Sequence, residues 1–485
     1  MSKIKPLIYT VAAALLSAGA SYAASHSSTS IENSMTLQNL VGHLKSFQQF
    51  ADNNTELPGT RMTNTQGFFA SRDYIIRTLQ DAGYFVYTQD VPLEISFIAP
   101  GHTIAETHPT KKEYRDNIDY SPVVNSGGGD VSAAVQVPSG SAFGCAASDF
   151  AGFQAGSIAL LQFGSGECSR SAGIKNAIAA GAKAVLIYNP AIKGVYHMTV
   201  GFPIPSVTTP ISLISIETAN ELKQAITAGA APKLDMHFKM IKKNMVSQNI
   251  IAESRTGNPD QIVMTGAHYD SLHGNSGMND NASSVAAVLE TALLMKEMRP
   301  INQLRFAFWT GEELGLVGST YYVEHLSKEE VAKIKVYLNY EVLGAPNGGR
   351  FIMGYAEGIT PKGSEKVTQK AAEYFKSQGL KYFIFDPRMG DAARRSDMMA
   401  FMKAGIPVGF MVSGAETPWL KEMSLIFTDL PNRVIGMTTH PCYHKYCDIL
   451  TLPDGQMKDA NFDFDLYLQM SKAAAYMTYN YSISN

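Results

Sequence analysis

Apolar residues first recur at helical spacing between Leu37 and Phe50 (Leu37, Leu40, Val41, Leu44, Phe47, Phe50), which predicts a helix with one buried face. A second helical stretch covers about Thr65 to Ala82 and stops at Gly83. The period then shortens. Tyr84 to Leu93 alternates and is rich in β-branched and aromatic residues, which predicts a strand. Between about Ile95 and Lys243 Gly, Ser and Pro become frequent, as in Asn125-Ser-Gly-Gly-Gly, and short apolar runs appear at Ser157–Phe163, Ala184–Tyr188 and Thr209–Ile214. One helix, Ser171 to Ala180, lies among them, with Gly181 placed to end it. This stretch reads as a smaller β-rich domain carrying a helix or two.

From Asn249 onward strands and helices alternate. Ile250–Glu253 and Gln261–Thr265 are predicted strands around an Asn258-Pro-Asp turn, followed by a helix over Ser283–Met298. Leu304–Trp309, Val336–Tyr340 and Val408–Val412 are further buried strands. Such alternation implies an α/β fold with a mixed, mostly parallel sheet flanked by helices. Loops at the carboxyl ends of its strands are the expected place for a site.

The two ends of the composition add less. In 485 residues, 45% are hydrophobic and 17% charged, and the net charge of −3 comes without a basic stripe, which argues against a nucleic-acid partner. Lys3 and Lys5, the apolar run Leu7–Leu16 and Ser21-Tyr22-Ala23 fit a signal peptide over residues 1–23, cleaved after Ala23. A membrane anchor is the competing reading, but the run falls short of the roughly 20 apolar residues a span needs. The chain is expected to be exported, to a periplasm or outside the cell, without a stable anchor once cleaved; Ser25 to about Ser34 then reads as a loose polar leader. The cysteines are Cys145, Cys168, Cys442 and Cys447, and an oxidising compartment favours disulfides. Proximity suggests Cys145–Cys168 and Cys442–Cys447, although four cysteines allow three connectivities. Cys442, His444 and Cys447 also admit a structural zinc site, though without a fourth ligand nearby.

Candidate chemistry gathers near predicted strand ends. In Thr265-Gly-Ala-His-Tyr-Asp-Ser271, His268 and Asp270 share a strand face, so His268 can bind a metal while Asp270 fixes its tautomer. Asp280, in Gly277-Met-Asn-Asp-Asn-Ala-Ser283, stands just before a helix, where a capping role competes. Asn281-Ala-Ser283 also fits a glycosylation sequon, which the adjacent site argues against. In Phe308-Trp-Thr-Gly-Glu-Glu-Leu-Gly315 the two glutamates are expected at a helix start; Glu313 would bind metal and Glu312 would face the bound water as general base. Glu341 is acidic at an apolar strand end, where burial calls for a partner or a metal. A short Cys442–Cys447 loop would pin His444; Pro441 argues against a helical pairing of His440 with it. Two histidines and three carboxylates without a thiolate suit zinc, and shared ligands would set two ions roughly 3.5–4 Å apart.

These segments, Gly266-Ala-His-Tyr-Asp-Ser, Gly-Met-Asn-Asp-Asn-Ala-Ser, Trp-Thr-Gly-Glu-Glu-Leu-Gly and Cys-Tyr-His-Lys-Tyr-Cys-Asp, resemble the signatures of the co-catalytic di-zinc aminopeptidases of the bacterial leucine aminopeptidase and vacuolar aminopeptidase Y type. The middle of the chain is similar to the protease-associated domain such enzymes often carry, through Gly144-Cys145, Ile158–Phe163, Gly166-Glu-Cys168 and the run from Gly181 to Asn189. The resemblance implies a peptidase domain over residues 35–94 and 246–485, interrupted by a protease-associated domain over 95–245. It implies two zinc ions per chain and peptide substrates with a free N-terminus. Asp280 would bridge the ions, His268 and Glu341 would hold one, and Glu313 and His444 the other. Glu312 would be the general base and Tyr443 would stabilise the oxyanion. The segment from Arg395 resembles the family's Arg-Ser-Asp-His, whose backbone helps hold the substrate amine. Three positions depart: Glu341 where aspartate is common, Met398 for a histidine, and Ser284 for a glycine. Carboxypeptidases, dipeptidases, glutaminyl cyclases and non-catalytic binding ectodomains share the scaffold and are the rival readings; no Gly-x-Ser-x-Gly elbow supports a serine hydrolase.

Overall fold

The computed structural model describes residues 31–484 except 32, 56, 165–167, 169, 191–193, 196–207, 389–395 and 451–460. The expected signal peptide, 1–23, and Arg395 therefore lie outside the described residues.

Two eight-stranded sheets organise the chain. In the first, the strands run in the order Phe85–Ile98, Met240–Glu253, Asn302–Trp309, Asn258–His268, Ile334–Glu341, Val408–Val412, Phe351–Met353 and Phe383–Phe385. Its centre, from Asn302–Trp309 to Val408–Val412, is parallel, as the alternating pattern requires; antiparallel partners flank it on both sides. Strands buried on both faces explain the continuous apolar runs, such as Val336 to Leu338, all at most 1% exposed. One core packs the helices Leu37–Asp52, Gln66–Asp81, Ser283–Met295 and Phe464–Ile483 with this sheet, through Leu44, Phe47, Ile75, Leu289 and Met470 among others. The first two helices begin at Thr36 and Thr65, whose hydroxyls accept the amides of Asn39 and Phe68.

The second sheet is built from residues 103–238 and carries the helices Arg170–Ala179 and Ile216–Thr227. Phe85–Ile98 and Met240–Glu253 form one antiparallel ribbon in unbroken register from Phe85↔Glu253 to Ile98↔Met240. Both chain crossings between the sheets run along this ribbon.

Several elements differ from the sequence expectation. The strand predicted to end at Leu93 continues to Ile98, because the strand Met240–Glu253 supplies a backbone partner along its whole length. The turn expected at Asn258-Pro-Asp lies earlier, at 254–257, where Gly257 takes φ +103°, and Asn258 already pairs with Asn302. The presumed loose leader is already packed at its end: Ile31 and Met35 are buried in the main core. The helix over Ser283 ends at Met295 rather than Met298.

Candidate metal centre

Parallel strands bring their carboxyl ends to one edge, and the chemistry gathers there. His268 is the last residue of Asn258–His268, and Glu341 the last of Ile334–Glu341. Glu312 and Glu313 follow Asn302–Trp309 in a turn that precedes the helix Val317–Glu324. They do not begin a helix, so no helix dipole favours their charge. Asp280 sits in a kinked segment ahead of Ser283–Met295, and that helix is capped by Ala282 with no side-chain bond, which removes the capping reading. The kink needs Gly277: its φ is +60°, and a Cβ there would overlap the Asp280 carbonyl and Ser271. His444, also with positive φ, is held in the short loop closed by Cys442–Cys447. Cys145 and Cys168 form the other disulfide, so no thiol is left for a structural zinc site at Cys442 and Cys447.

The side chains converge as two trios. Ligand atoms of His268, Glu312 and Glu341 lie within 4.8 Å of one another, as do those of Asp280, Glu313 and His444. His268 Nε2 is 3.1 Å from Glu341 Oε1, 3.4 Å from Asp280 Oδ1 and 3.9 Å from Glu312 Oε2. His444 Nε2 is 3.0 Å from Asp280 Oδ2 and 3.3 Å from Glu313 Oε2. Asp280 thus shows one oxygen to each trio. All six side chains are buried, and Asp280 Oδ1 has no hydrogen-bond donor.

Four carboxylates against two imidazoles is a buried excess of negative charge, which protons or cations must offset. Burial alone would depress both histidines. The charge of Glu312 and the adjacent carboxylates of Asp270, Asp280 and Glu341 instead hold His268 well above its ordinary value, and Glu313 and Asp280 push His444 up to about 10. Burial raises Glu313 to about 7, reinforced by Asp280 and opposed by His444. Burial also lifts Glu312 well above the usual carboxyl range, with Glu341 and Glu313 adding repulsion against the pull of His268. Asp280 runs the other way: despite burial, its two histidines keep it below the carboxylate range. An orphaned carboxylate oxygen between two nitrogen-and-oxygen donor sets fits divalent cations of the zinc type.

Supporting groups surround the trios. Asp270 lies 3.5 Å from His268 Nδ1, while its carboxylate accepts the Glu312 amide (3.3 Å) and the Thr63 hydroxyl (2.9 Å). Ser396 donates to Glu341 Oε2. Tyr443 is half-buried and its ring stacks on His444 at 3.8 Å. Met398 is fully buried in an apolar cluster with Trp309, Tyr337 and Phe401, and its sulfur accepts Asn339 Nδ2 at 3.8 Å. Sequence reasoning left out several participants. Asp448 accepts the amides of Asn279 (2.8 Å) and Asp280 (3.0 Å). Asn281 donates to the Tyr340 carbonyl and accepts the Val342 amide, gripping the backbone on either side of Glu341. It is fully buried, which leaves no room for a glycan. Arg61, also fully buried, donates to the carbonyls of Tyr269 (2.6 Å), Ser276 (2.9 Å) and Gly277 (2.8 Å) and fastens the loop between His268 and Asp280. Asp397 is buried, and burial raises it to about 7. Asp448 closes the His444 motif, Asn281 lies in the Asp280 motif and Asp397 in the segment from Arg395, so motif membership is the signal for these three, and Arg61 has none.

Comparison with known proteins agrees. Residues 249–467 match the model of peptidase family M28, and residues 129–222 match the PA domain. An aminopeptidase of Pseudomonas aeruginosa is 35% identical over 464 residues, covering 92% of this chain and 81% of that protein. The fold is that of an aminopeptidase from Aneurinibacillus sp. strain AM-1 (TM-score 0.69, 21% identity, 95% and 97% of the two chains covered). A zinc aminopeptidase from Bacillus subtilis is similar to it as well (TM-score 0.65, 21% identity, 93% and 96% covered). With this fold, this convergence of histidine and carboxylate side chains and this relative, the chain belongs to peptidase family M28, as a metallo-aminopeptidase carrying an inserted PA domain.

Proposed function

We propose that this chain is an exported aminopeptidase that removes N-terminal residues from peptides with two zinc ions per chain. The observation that carries the reading is Asp280, whose Oδ1 faces His268 and whose Oδ2 faces His444. A carboxylate placed in this way is suited to bridge two cations. His268 and Glu341 complete one set of ligands, and Glu313 and His444 the other. Bound zinc supplies Lewis acidity and brings the pKa of a bound water near 7, as such sites generally do.

The remaining roles fall to the protein. Glu312 takes the proton of the attacking water and hands it to the leaving amine; its raised proton affinity suits that shuttle. Tyr443, stacked against His444, stabilises the oxyanion. The carboxylates of Glu312 and Glu341 attract a protonated N-terminus, which favours trimming from that end, and the backbone near Arg395 helps to hold the amine. Two disulfides suit an oxidising compartment, and no helix among the described residues is long and apolar enough to cross a membrane.

Metal analysis together with hydrolysis of leucyl and other aminoacyl anilides tests the proposal. The expected result is about two zinc per chain and, in Glu312→Ala, retained metal with activity down by at least roughly a hundredfold. Metal without hydrolysis of any free-amine substrate would favour the carboxypeptidase or cyclase chemistry instead. Absence of metal would refute the ligand set.

A further inference from the structure

The turn that carries Glu312 and Glu313 belongs to no helix or strand, and Gly311, Gly315 and Leu316 all take positive φ within it. Its own backbone bonds, from the Gly315 and Leu316 amides to the Glu312 carbonyl and from the Val317 amide to the Gly311 carbonyl, hold its curl, and ties from outside fix its place. At its start Thr310 donates its amide to Asn249 Oδ1 (3.2 Å), and its hydroxyl lies 2.6 Å from the Ser247 hydroxyl. At Glu312 the amide donates to Asp270 Oδ1. At the apex, the Leu314 carbonyl accepts Asn125 Nδ2 at 3.1 Å. The first ties come from the sheet that bears the site. The last comes from the inserted module.

Asn125 lies between two strands of the second sheet, Tyr120–Pro122 and Gly129–Gln136. Its loop is fixed to that sheet on both sides, by the Val123 amide on the Ile211 carbonyl (3.1 Å) and the Gly127 amide on the Thr209 carbonyl (3.0 Å). Asn125 has φ +60°, a left-handed value that asparagine tolerates better than most side chains. Beside it, Val124 packs against the small cluster formed by Leu314 of the turn and Leu93 and Ile95 of the ribbon. The second sheet therefore reaches the apex of the catalytic turn through the Asn125 amide and the Val124 side chain.

We propose that Asn125 is a positioning residue, through which the inserted module sets the pose of the Glu312–Glu313 turn. The module then contributes to the rate on every substrate. A module that only screens the entrance would affect large substrates and leave a single aminoacyl anilide untouched. The inference rests on the aminopeptidase reading above.

The test uses the full chain with Asn125→Gly, which keeps the left-handed backbone and removes the amide, and Asn125→Asp, which keeps the shape and replaces the donor by an acceptor. kcat and KM are measured on leucyl anilide and on a longer peptide, with zinc content and amide hydrogen exchange across 312–316. Both variants are expected to lose kcat by roughly tenfold, because small misplacements of a catalytic group carry losses of that order or more. With zinc in excess, so that a weakened hold by Glu313 leaves the site filled, zinc content should not change, and KM should stay within about twofold, since positioning acts on the reactive pose rather than on binding. The loss should be equal on both substrates, and exchange across 312–316 should quicken. Unchanged kcat on the anilide in both variants would overturn the proposal. So would a loss confined to the longer peptide, or one explained by lost zinc. An unaltered chain inactive on every free-amine substrate would instead refute the aminopeptidase reading.

Discussion

Arg61→Met replaces a buried cation by an apolar chain of similar length at the hinge of the metal loop. Arg61 donates to the carbonyls of Tyr269, Ser276 and Gly277, and its guanidinium lies 5.4 Å from the Phe47 ring centroid. Burial lowers its pKa to about 10, and the nearby Asp270, Asp448, Asp280 and Glu313 pull it back up, so it remains a cation at neutral pH. Removing it leaves three carbonyls without these donors, at roughly 1–3 kcal/mol for each that water cannot reach. Relief of the buried charge offsets part of that, and neighbouring terms do not add fully, so a net destabilisation of about 3–5 kcal/mol is expected. Thermal unfolding of a chain this long has an entropy near ~1 kcal/mol per kelvin, so the midpoint should fall by about 3–5 °C. Arg61→Lys keeps the charge but loses the planar fork, and should recover only part of the loss. The assays are thermal denaturation and zinc titration against a chelator, each run on both variants. Zinc should be held more weakly in both, because the loop carries Asp280 at its far end. A shift below about 1 °C with unchanged zinc affinity would show that Arg61 is a bystander.

Asp448→Ala removes the acceptor of two backbone amides and should lower zinc affinity by roughly 10–100-fold, as loss of groups behind metal ligands generally does; competition with a chelator reads it. Cys442→Ser with Cys447→Ser frees the six-residue loop around His444. The chain-entropy argument gives about 2 kcal/mol lost on thermal unfolding, and zinc release should quicken in stopped-flow chelation. Zinc affinity should rise with pH, because Glu313, raised to about 7, and His268 and His444, both raised, must give up protons before they can bind metal; calorimetric titration between pH 5.5 and 8 measures the slope, and a flat profile would refute this ligand set.

Much of this was legible from residue order, for physical reasons that differ by element. The parallel strands bury both faces, so Leu304–Trp309 and Val336–Tyr340 stand out as apolar runs, and the polar residues that end them mark the site edge. His268 and Glu341 stand out because each ends an apolar strand, whereas Asp280, Glu313 and His444 lie in a kinked segment, a turn and a loop and come forward only through their motifs. Groups acting through backbone bonds left no such mark: Arg61 and Asn281 make their contacts to carbonyls and amides distant in sequence, which no local pattern encodes. The glutamate pair was placed on a helix because dipole preference is a local rule. The turn that carries it depends on tertiary ties from Asn249, Asp270 and Asn125.

The ribbon between the two sheets has a consequence for the order of assembly. Ile98 and Met240 pair directly although they stand roughly 140 residues apart, and closing so long a loop costs about 3 kcal/mol more than closing a tight hairpin. That difference disappears once the intervening sheet has formed, because its own folding brings the two ends side by side. Forming the inserted module first therefore lowers the cost of pairing the ribbon on which the first sheet is built.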